Sequence, residues 1–215
     1  MKKQLQNAAV LLLALLPAGY FLLIWTSLPE IVPVHFGPDM KPDRIGNKVE
    51  LWLPVALIAV ISILVYFLFQ NLHRIDPKRK DAAQLATFQK LGTGMVVFLT
   101  VINFLVIRSA KGDAQLQNLL FPLLGLLFAF IGNYMIHIKP NYFAGFRLPW
   151  TLSNDDNWRK THELGGKLWF AGGMLIAIVC FFLPATIAFV FFLTIVLIMM
   201  MIPLVYSYRL FKKQT

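Results

Sequence analysis

Apolar residues in this chain gather into unbroken blocks and do not alternate with polar ones. Six blocks, 8–27, 51–70, 91–107, 118–136, 168–183 and 185–206, run to lengths that suit helices crossing a hydrocarbon core of ~30 Å. No polar linker separates the last two. As one helix, residues 168–206 would extend ~58 Å at ~1.5 Å per residue, about twice the bilayer. The chain must turn, and Leu183-Pro184-Ala185 is the place. Pro184 removes an amide donor and disfavours helix at Leu183. The pattern predicts an all-α polytopic membrane protein, one domain of six transmembrane helices over residues 1–215.

The segments between the blocks differ in character. Residues 28–50 carry prolines at 29, 33, 38 and 42, which forbid a regular helix and favour extended and turn segments. Lys41, Arg44 and Lys48 nearly cancel Glu30, Asp39, Asp43 and Glu50, as expected of a loop folded compactly over the mouth of the bundle. In residues 71–90, Asp76-Pro77 reads as an N-cap and first helical position, with Lys78, Arg79 and Lys80 at the headgroups. Residues 137–167 divide in two. Prolines 140 and 149 and Gly145 make the first half irregular. Ser153 with Asp156 then resembles a capping box. Asp155, Arg159, Glu163 and Lys167 alternate in sign at intervals of four, which supports a helix. Trp158, His162, Gly165 and Trp169 share another face, and Trp169 is expected in the aromatic belt.

Charge sets the orientation. Fifteen of the 20 Lys and Arg residues lie in the amino end, the 71–90 and 137–167 loops and the tail, against five in the other loops. The asymmetry predicts cytoplasmic termini. It also accounts for most of the net charge of +10, which brings attraction to anionic lipid. No nucleic-acid-binding pattern accompanies that charge, so no direct nucleic-acid partner is expected. Met1-Lys2-Lys3 before an apolar run could pass for a secretory signal. The run is long and no small-x-small cleavage pattern follows, so it is taken as an uncleaved first span.

Little in the spans could carry chemistry. Between their ends there is no Asp, Glu, Lys or Arg, which argues against an ion-coupled transporter. Asn103 and Asn133 are expected to pair across helices. Cys180 is expected to be a packed apolar residue. Gly125 with Ala129 and Gly132, and Gly173 with Ala177, have the spacing of close helix packing. His35, His73, His137 and His162 show no zinc-ligand spacing, and no nucleophile–base pattern is present. No metal, no cofactor and no catalytic residue is therefore assigned. In the loops, His35 and Asp43 are placed to bond each other or to meet a ligand. Arg147 offers a planar five-donor fork for helix carbonyls, lipid phosphate or a partner's carboxylate. Trp150 and Trp158 read as interface anchors.

Two strings stand apart from anything a span requires. In the outer loop they are Leu28-Pro29, Pro33-x-His35-Phe36 and Pro42-Asp43-Arg44-x-Gly46-x-Lys48. In the inner loop they are Gly145-x-Arg147-x-Pro149-Trp150-Thr151-Leu152, then Trp158, His162 and Lys167. In order, spacing and six-span frame this chain resembles the Sdp toxin immunity-protein family, SdpI-like integral membrane proteins of Gram-positive bacteria. Members often place a glycine soon after the histidine of the outer motif. Met40 and Lys41 stand in that stretch here, and Gly37-Pro38 comes earlier.

The resemblance implies a non-enzymatic protein of the bacterial cell membrane that protects the cell from a secreted antimicrobial peptide toxin. In at least one member it also implies a receptor that draws a transcriptional repressor to the membrane. The partners so implied are membrane lipid, the toxin and a cytoplasmic repressor. The toxin-binding candidates are His35, Phe36, Asp43, Arg44 and Lys48. The signalling or structural candidates are Gly145, Arg147, Pro149, Trp150, Thr151, Trp158, His162 and Lys167. Two alternatives stay open: a small transporter of a peptide or lipid working through Asn103 and Asn133, and a membrane enzyme acting on lipid or cell wall with His35 as base.

Overall fold

The computed structural model describes residues 2–75, 82–112 and 118–213. The expected Asp76-Pro77 cap and Lys78, Arg79 and Lys80 lie outside them. Among the described residues there are seven α-helices: α1 (Lys2–Ile24), α2 (Trp52–Ile75), α3 (Ala82–Ser109), α4 (Leu120–Met135), α5 (Pro149–Ser153), α6 (Asp155–Phe182) and α7 (Ala185–Lys212). Five are long and apolar enough to cross a membrane. α4, with 16 residues, spans only ~24 Å. The class is that of an all-α polytopic membrane protein. The turn between the last two long helices falls where the proline places it, with Leu183 and Pro184 both extended (ψ 146°).

α1 to α3 pack together, α4 packs along α6, and α7 lies on α6. The α4–α6 contact is the most intimate, and small residues make it so. A Cβ on Gly132 would strike the backbone of α6 at Gly166 and Phe170, and one on Gly173 would strike that of α4 at Gly125 and Ala129. The expected packing role of Gly125, Ala129, Gly132 and Gly173 is thus realised between these two helices. Cys180 is buried in the same half, its thiol 3.6 Å from the Ala188 carbonyl. Asn103 and Asn133 do not pair. Asn103 is buried and donates to the Val55 carbonyl of α2 (3.0 Å), whereas Asn133 is exposed on α4. At about 3.6 residues per turn, Asn133 falls outside the line of the buried Gly125, Ala129 and Gly132 on α4.

The loop after α1 forms a two-stranded antiparallel hairpin, β1 (Ile31–Phe36) with β2 (Pro42–Asn47), inside an otherwise helical molecule. β-branched Ile31, Val32 and Val34 suit the strand. The turn closes through Gly37 N–H to Lys41 O and Met40 N–H to Gly37 O, both 2.9 Å, and Asp39 Oδ1 accepts the Lys41 amide (3.1 Å). Met40 takes φ +59°, the left-handed region that glycine adopts without strain. The stretch where a glycine was expected from the resemblance is thus a left-handed turn, held here by methionine. The Met40 side chain packs on the Phe121 cluster of α4, α6 and α7, so the hairpin tip reaches across to the second half of the bundle.

Candidate functional site

The polar strings lie at opposite ends of the bundle, because the hairpin leaves α1 and enters α2 while the other loop leaves α4 and enters α6.

At the hairpin end, His35 Nδ1 and Asp43 Oδ1 are 2.6 Å apart, as the sequence suggested, and both side chains are at least half exposed. Arg44 pairs with Glu50 (3.0 Å). Glu50 also accepts the Asn47 amide (3.1 Å), while Asn47 caps the short 3-10 turn Lys48–Leu51 through the Val49 amide (2.9 Å). Lys48 differs from the other candidates. Its ammonium is buried against Glu30 (2.8 Å), the Trp25 carbonyl (3.4 Å) and the Trp25 ring (5.0 Å to the centroid). It ties the chain after the hairpin to the turn that follows α1 and to Glu30. Beneath, Phe21 meets Trp25 and Trp52 edge-on at 5.4 and 4.8 Å. Phe36 faces an apolar cavity of about 270 Å³ between the hairpin, α2, α3 and the start of α4.

At the other end, the buried polar side chains of the irregular stretch are used locally. Asn141, fully buried, accepts the amides of Phe143 and Ala144 (2.8 and 2.7 Å) and donates to the carbonyls of Lys139 and Ala144 (2.9 and 3.0 Å). Thr151, also buried, accepts the Leu148 amide (2.9 Å) and donates to the Phe146 carbonyl (2.7 Å). Pro149 occupies the first position of α5, where its missing N–H leaves nothing unsatisfied. α6 is capped by Asn154, whose side chain accepts the Asp156 and Asn157 amides, both at 2.9 Å. The expected Ser153 cap is therefore displaced by one residue. Ser153 ends α5, and its hydroxyl turns back to the Trp150 carbonyl (3.3 Å). The alternating charges engage as expected of a helix: Glu163 pairs with Lys167 (2.9 Å) and lies 3.9 Å from Arg159, and Asp156 also takes Arg159 (2.8 Å) and Lys160 (2.7 Å).

Trp158 and His162 form the centre of this end. Their rings stack with 4.0 Å between centroids. The Trp158 indole donates to the Ile138 carbonyl (2.8 Å). His162 accepts the Phe146 amide at Nε2 (3.0 Å) and donates from Nδ1 to the Trp158 carbonyl (2.8 Å), which specifies the neutral Nδ1–H tautomer. Trp150 donates to the Ser207 hydroxyl of α7 (2.7 Å), which donates to Asn157 Oδ1 (2.9 Å). Asn157 donates to the Ser207 carbonyl (3.0 Å), and Thr161 joins at Asn157 Oδ1 (3.0 Å). Arg147 is exposed and spends one donor on the Tyr142 carbonyl (2.9 Å). Lys167 points away from this centre and pairs with Glu163 (2.9 Å). Trp169, expected in the aromatic belt, is half-buried. It bonds the Met199 carbonyl (3.2 Å) and meets the Phe128 ring edge-on at 5.2 Å, between α4 and α7.

The structure thus brings the buried Thr151, Trp158 and His162 together around the Phe146 backbone, sets the exposed Gly145 against His162, and ties Trp150 to α7. Asn141, Asn157 and Ser207 were missed. The spacing of Asn157 and Thr161, one helical turn apart, was the available signal. Ser207 lies one residue past the sixth apolar block. Among the described residues, no group of three His, Cys, Asp or Glu side chains is placed to hold a metal ion.

The part of the chain that carries this cluster also carries its relationship to known proteins. Residues 137–207 match the SdpI/YfhL protein family. The resemblance to SdpI-like proteins drawn from the loop strings is thereby borne out. Residues 12–59, which include the hairpin, match a domain of unknown function, DUF1648. Over 214 residues the chain is 25% identical to the Immunity protein SdpI of Bacillus subtilis (strain 168), covering 99% of this chain and 98% of that one. A 46-residue stretch is 39% identical to an uncharacterized protein of Archaeoglobus fulgidus, covering 21% of this chain and 25% of that one. No solved structure matches.

Proposed function

We propose that this chain is an immunity protein of the bacterial cell membrane that confers tolerance to a secreted antimicrobial peptide toxin and has no catalytic role. The observation that carries this reading is the end-to-end similarity to Immunity protein SdpI, which covers both loops and all the helices together. Both termini are assigned to the cytoplasm by the charge asymmetry. The hairpin then faces the toxin, with His35, Asp43 and Arg44 as its accessible polar groups and Phe36 above the apolar cavity. The cluster of Trp158 and His162 with Gly145, Trp150 and Thr151 faces the cytoplasm. There Arg147 presents its remaining donors to a partner, for which a transcriptional repressor is the candidate.

The test is survival of a toxin-sensitive strain expressing this protein across a dose series of purified Sdp-type toxin. Protection that is lost on Arg147→Ala, with unchanged amounts of protein in the membrane, is the expected result. No protection by the unaltered chain, shown to be in the membrane, sinks the immunity reading.

A further inference from the structure

The helices meet unevenly. α2 lies along α3 and α4 along α6, while α3 and α4 touch little. That thin seam opens into a cleft of about 500 Å³ between the start of α1, the first half of α3 and the end of α4. Its polar lining is Gln6, Gln89, Lys90, Thr93 and Tyr134, and all but Thr93 stand where the apolar runs begin or end. Gln6 precedes the run of α1, Lys90 precedes that of α3, and Tyr134 lies in the last turn of α4. One turn further in, the wall becomes Gly94, Val97 and Phe130. A side chain on Gly94 would run into the Phe130 ring, so the missing Cβ lets that ring lie against the α3 backbone as the floor of the cleft.

Lys90 is exposed and makes no hydrogen bond or ion pair with any described residue. Its ammonium stands 6.0 Å from the centroid of the Tyr134 ring. Other cations nearer the loops are engaged: Lys160 with Asp156, Lys167 with Glu163, Lys48 with Glu30. A cation left without a counter-ion at the membrane edge, above an apolar cleft between helices, complements a ligand with a negative head and a hydrocarbon tail. The volume lies within the ~300–1,000 Å³ typical of small-molecule sites.

We infer that this cleft holds one anionic phospholipid, with its phosphate at Lys90 and an acyl chain along Gly94, Val97 and Phe130. Gln6 and Tyr134 flank the headgroup. The bound lipid fills the seam between the two halves of the bundle. The inference does not depend on the immunity reading.

The purified full chain in neutral detergent is titrated with phosphatidylglycerol, with phosphatidylcholine of the same acyl chains and, separately, with inorganic phosphate. Native mass spectrometry counts bound lipid, and Tm is followed. One phosphatidylglycerol held in preference to phosphatidylcholine, with no response to inorganic phosphate, is expected. Lys90→Gln, an exposed change, should weaken phosphatidylglycerol about five-fold and leave phosphatidylcholine alone. Lys111→Gln, at the far end of α3, should change neither. Equal binding of the two lipids, stabilisation by phosphate alone, or the same loss in both variants overturns the inference. Gly94→Leu should lower binding of both lipids by occupying the chain's path. Val97→Trp, on an exposed part of the same wall, serves if Gly94→Leu does not fold. Unchanged lipid binding in a folded variant of either kind overturns the acyl-chain assignment.

Discussion

Gly145 and His162 are fitted to each other. The glycine's φ of +107° turns the loop so that the next amide, Phe146 N–H, meets His162 Nε2 at 3.0 Å, and a Cβ at position 145 would collide with that same nitrogen. The loop conformation and the neutral histidine tautomer are therefore one arrangement. The stacked Trp158 extends it to the Ile138 carbonyl and to the Leu72, Phe88 and Leu91 cluster of α2 and α3. This is where the second half of the bundle grips the first.

Gly145→Ala should therefore disturb more than a loop. Left-handed strain contributes on the order of 1–3 kcal/mol, and the collision with His162 adds to it. Gly112→Ala, also at positive φ (+82°) but with open space around its Cβ, should show the strain alone. Thermal unfolding of both variants in detergent checks this. Equal Tm losses would mean that the His162 contact contributes nothing.

The hairpin separates stability from function. His35 and Asp43 are 67% and 50% exposed, so their contact contributes less than about 1 kcal/mol. His35→Ala should leave Tm nearly unchanged and, if the hairpin meets the toxin, lower survival in the dose series. Lys48→Ala should do the reverse of the first. It strands Glu30 and opens the Trp25 contact, so Tm falls and protein in the membrane declines. A stable, protective His35→Ala protein would remove that histidine from the toxin contacts and would also exclude it as a catalytic base.

The sequence disclosed the frame well and the contacts unevenly. Long apolar blocks and the Pro184 break are local signals, and the helices follow them. The spacing of Gly125, Ala129, Gly132 and Gly173 disclosed the faces but not that they meet each other. The hairpin was legible as extended chain, while its pairing depends on a turn whose left-handed residue is Met40, a type that seldom signals one. The inner cluster was half legible. Trp158 and His162 stood out by type and spacing, but Ser207 and Asn157 are 50 residues apart, and only the packing of α7 on α6 joins them. Trp169 was legible as an aromatic near a span end, but its seat between Phe128 of α4 and the Met199 carbonyl of α7 depends on long-range packing.

That long-range join makes a third prediction. Trp150 Nε1, the Ser207 hydroxyl and Asn157 Oδ1 form one relay of donors and acceptors. Ser207→Ala leaves Trp150 without its acceptor and Asn157 Oδ1 with one donor fewer, at about 1–3 kcal/mol. Trp150→Phe alone leaves the Ser207–Asn157 bond intact and should be milder in hydrogen bonding. A double-mutant cycle on Trp150→Phe and Ser207→Ala should give a coupling of about 0.5–3 kcal/mol. Strict additivity would show that the relay is geometric only.

The α4–α6 contact should be the least tolerant part of the molecule. Backbones approach there because no Cβ intervenes, and association of helices in lipid rests on such packing where the hydrophobic effect gives no help. Gly132→Val would push Cβ and both methyl groups into the α6 backbone at Gly166 and Phe170, atoms that cannot move aside as a flexible side chain would. α4 cannot readily slide to relieve the clash, since its 16 residues already fall short of the bilayer. Separation of the helices would also pull Trp169 from Phe128. Gly132→Val should therefore lower the yield of folded protein sharply and reduce Tm by more than Gly19→Val. Gly19 lies within α1, and its Cβ would meet nothing. Both variants lose a helix-breaking glycine, so propensity favours each alike. Matched Tm values for the two would show that α4 and α6 are not held by this close approach.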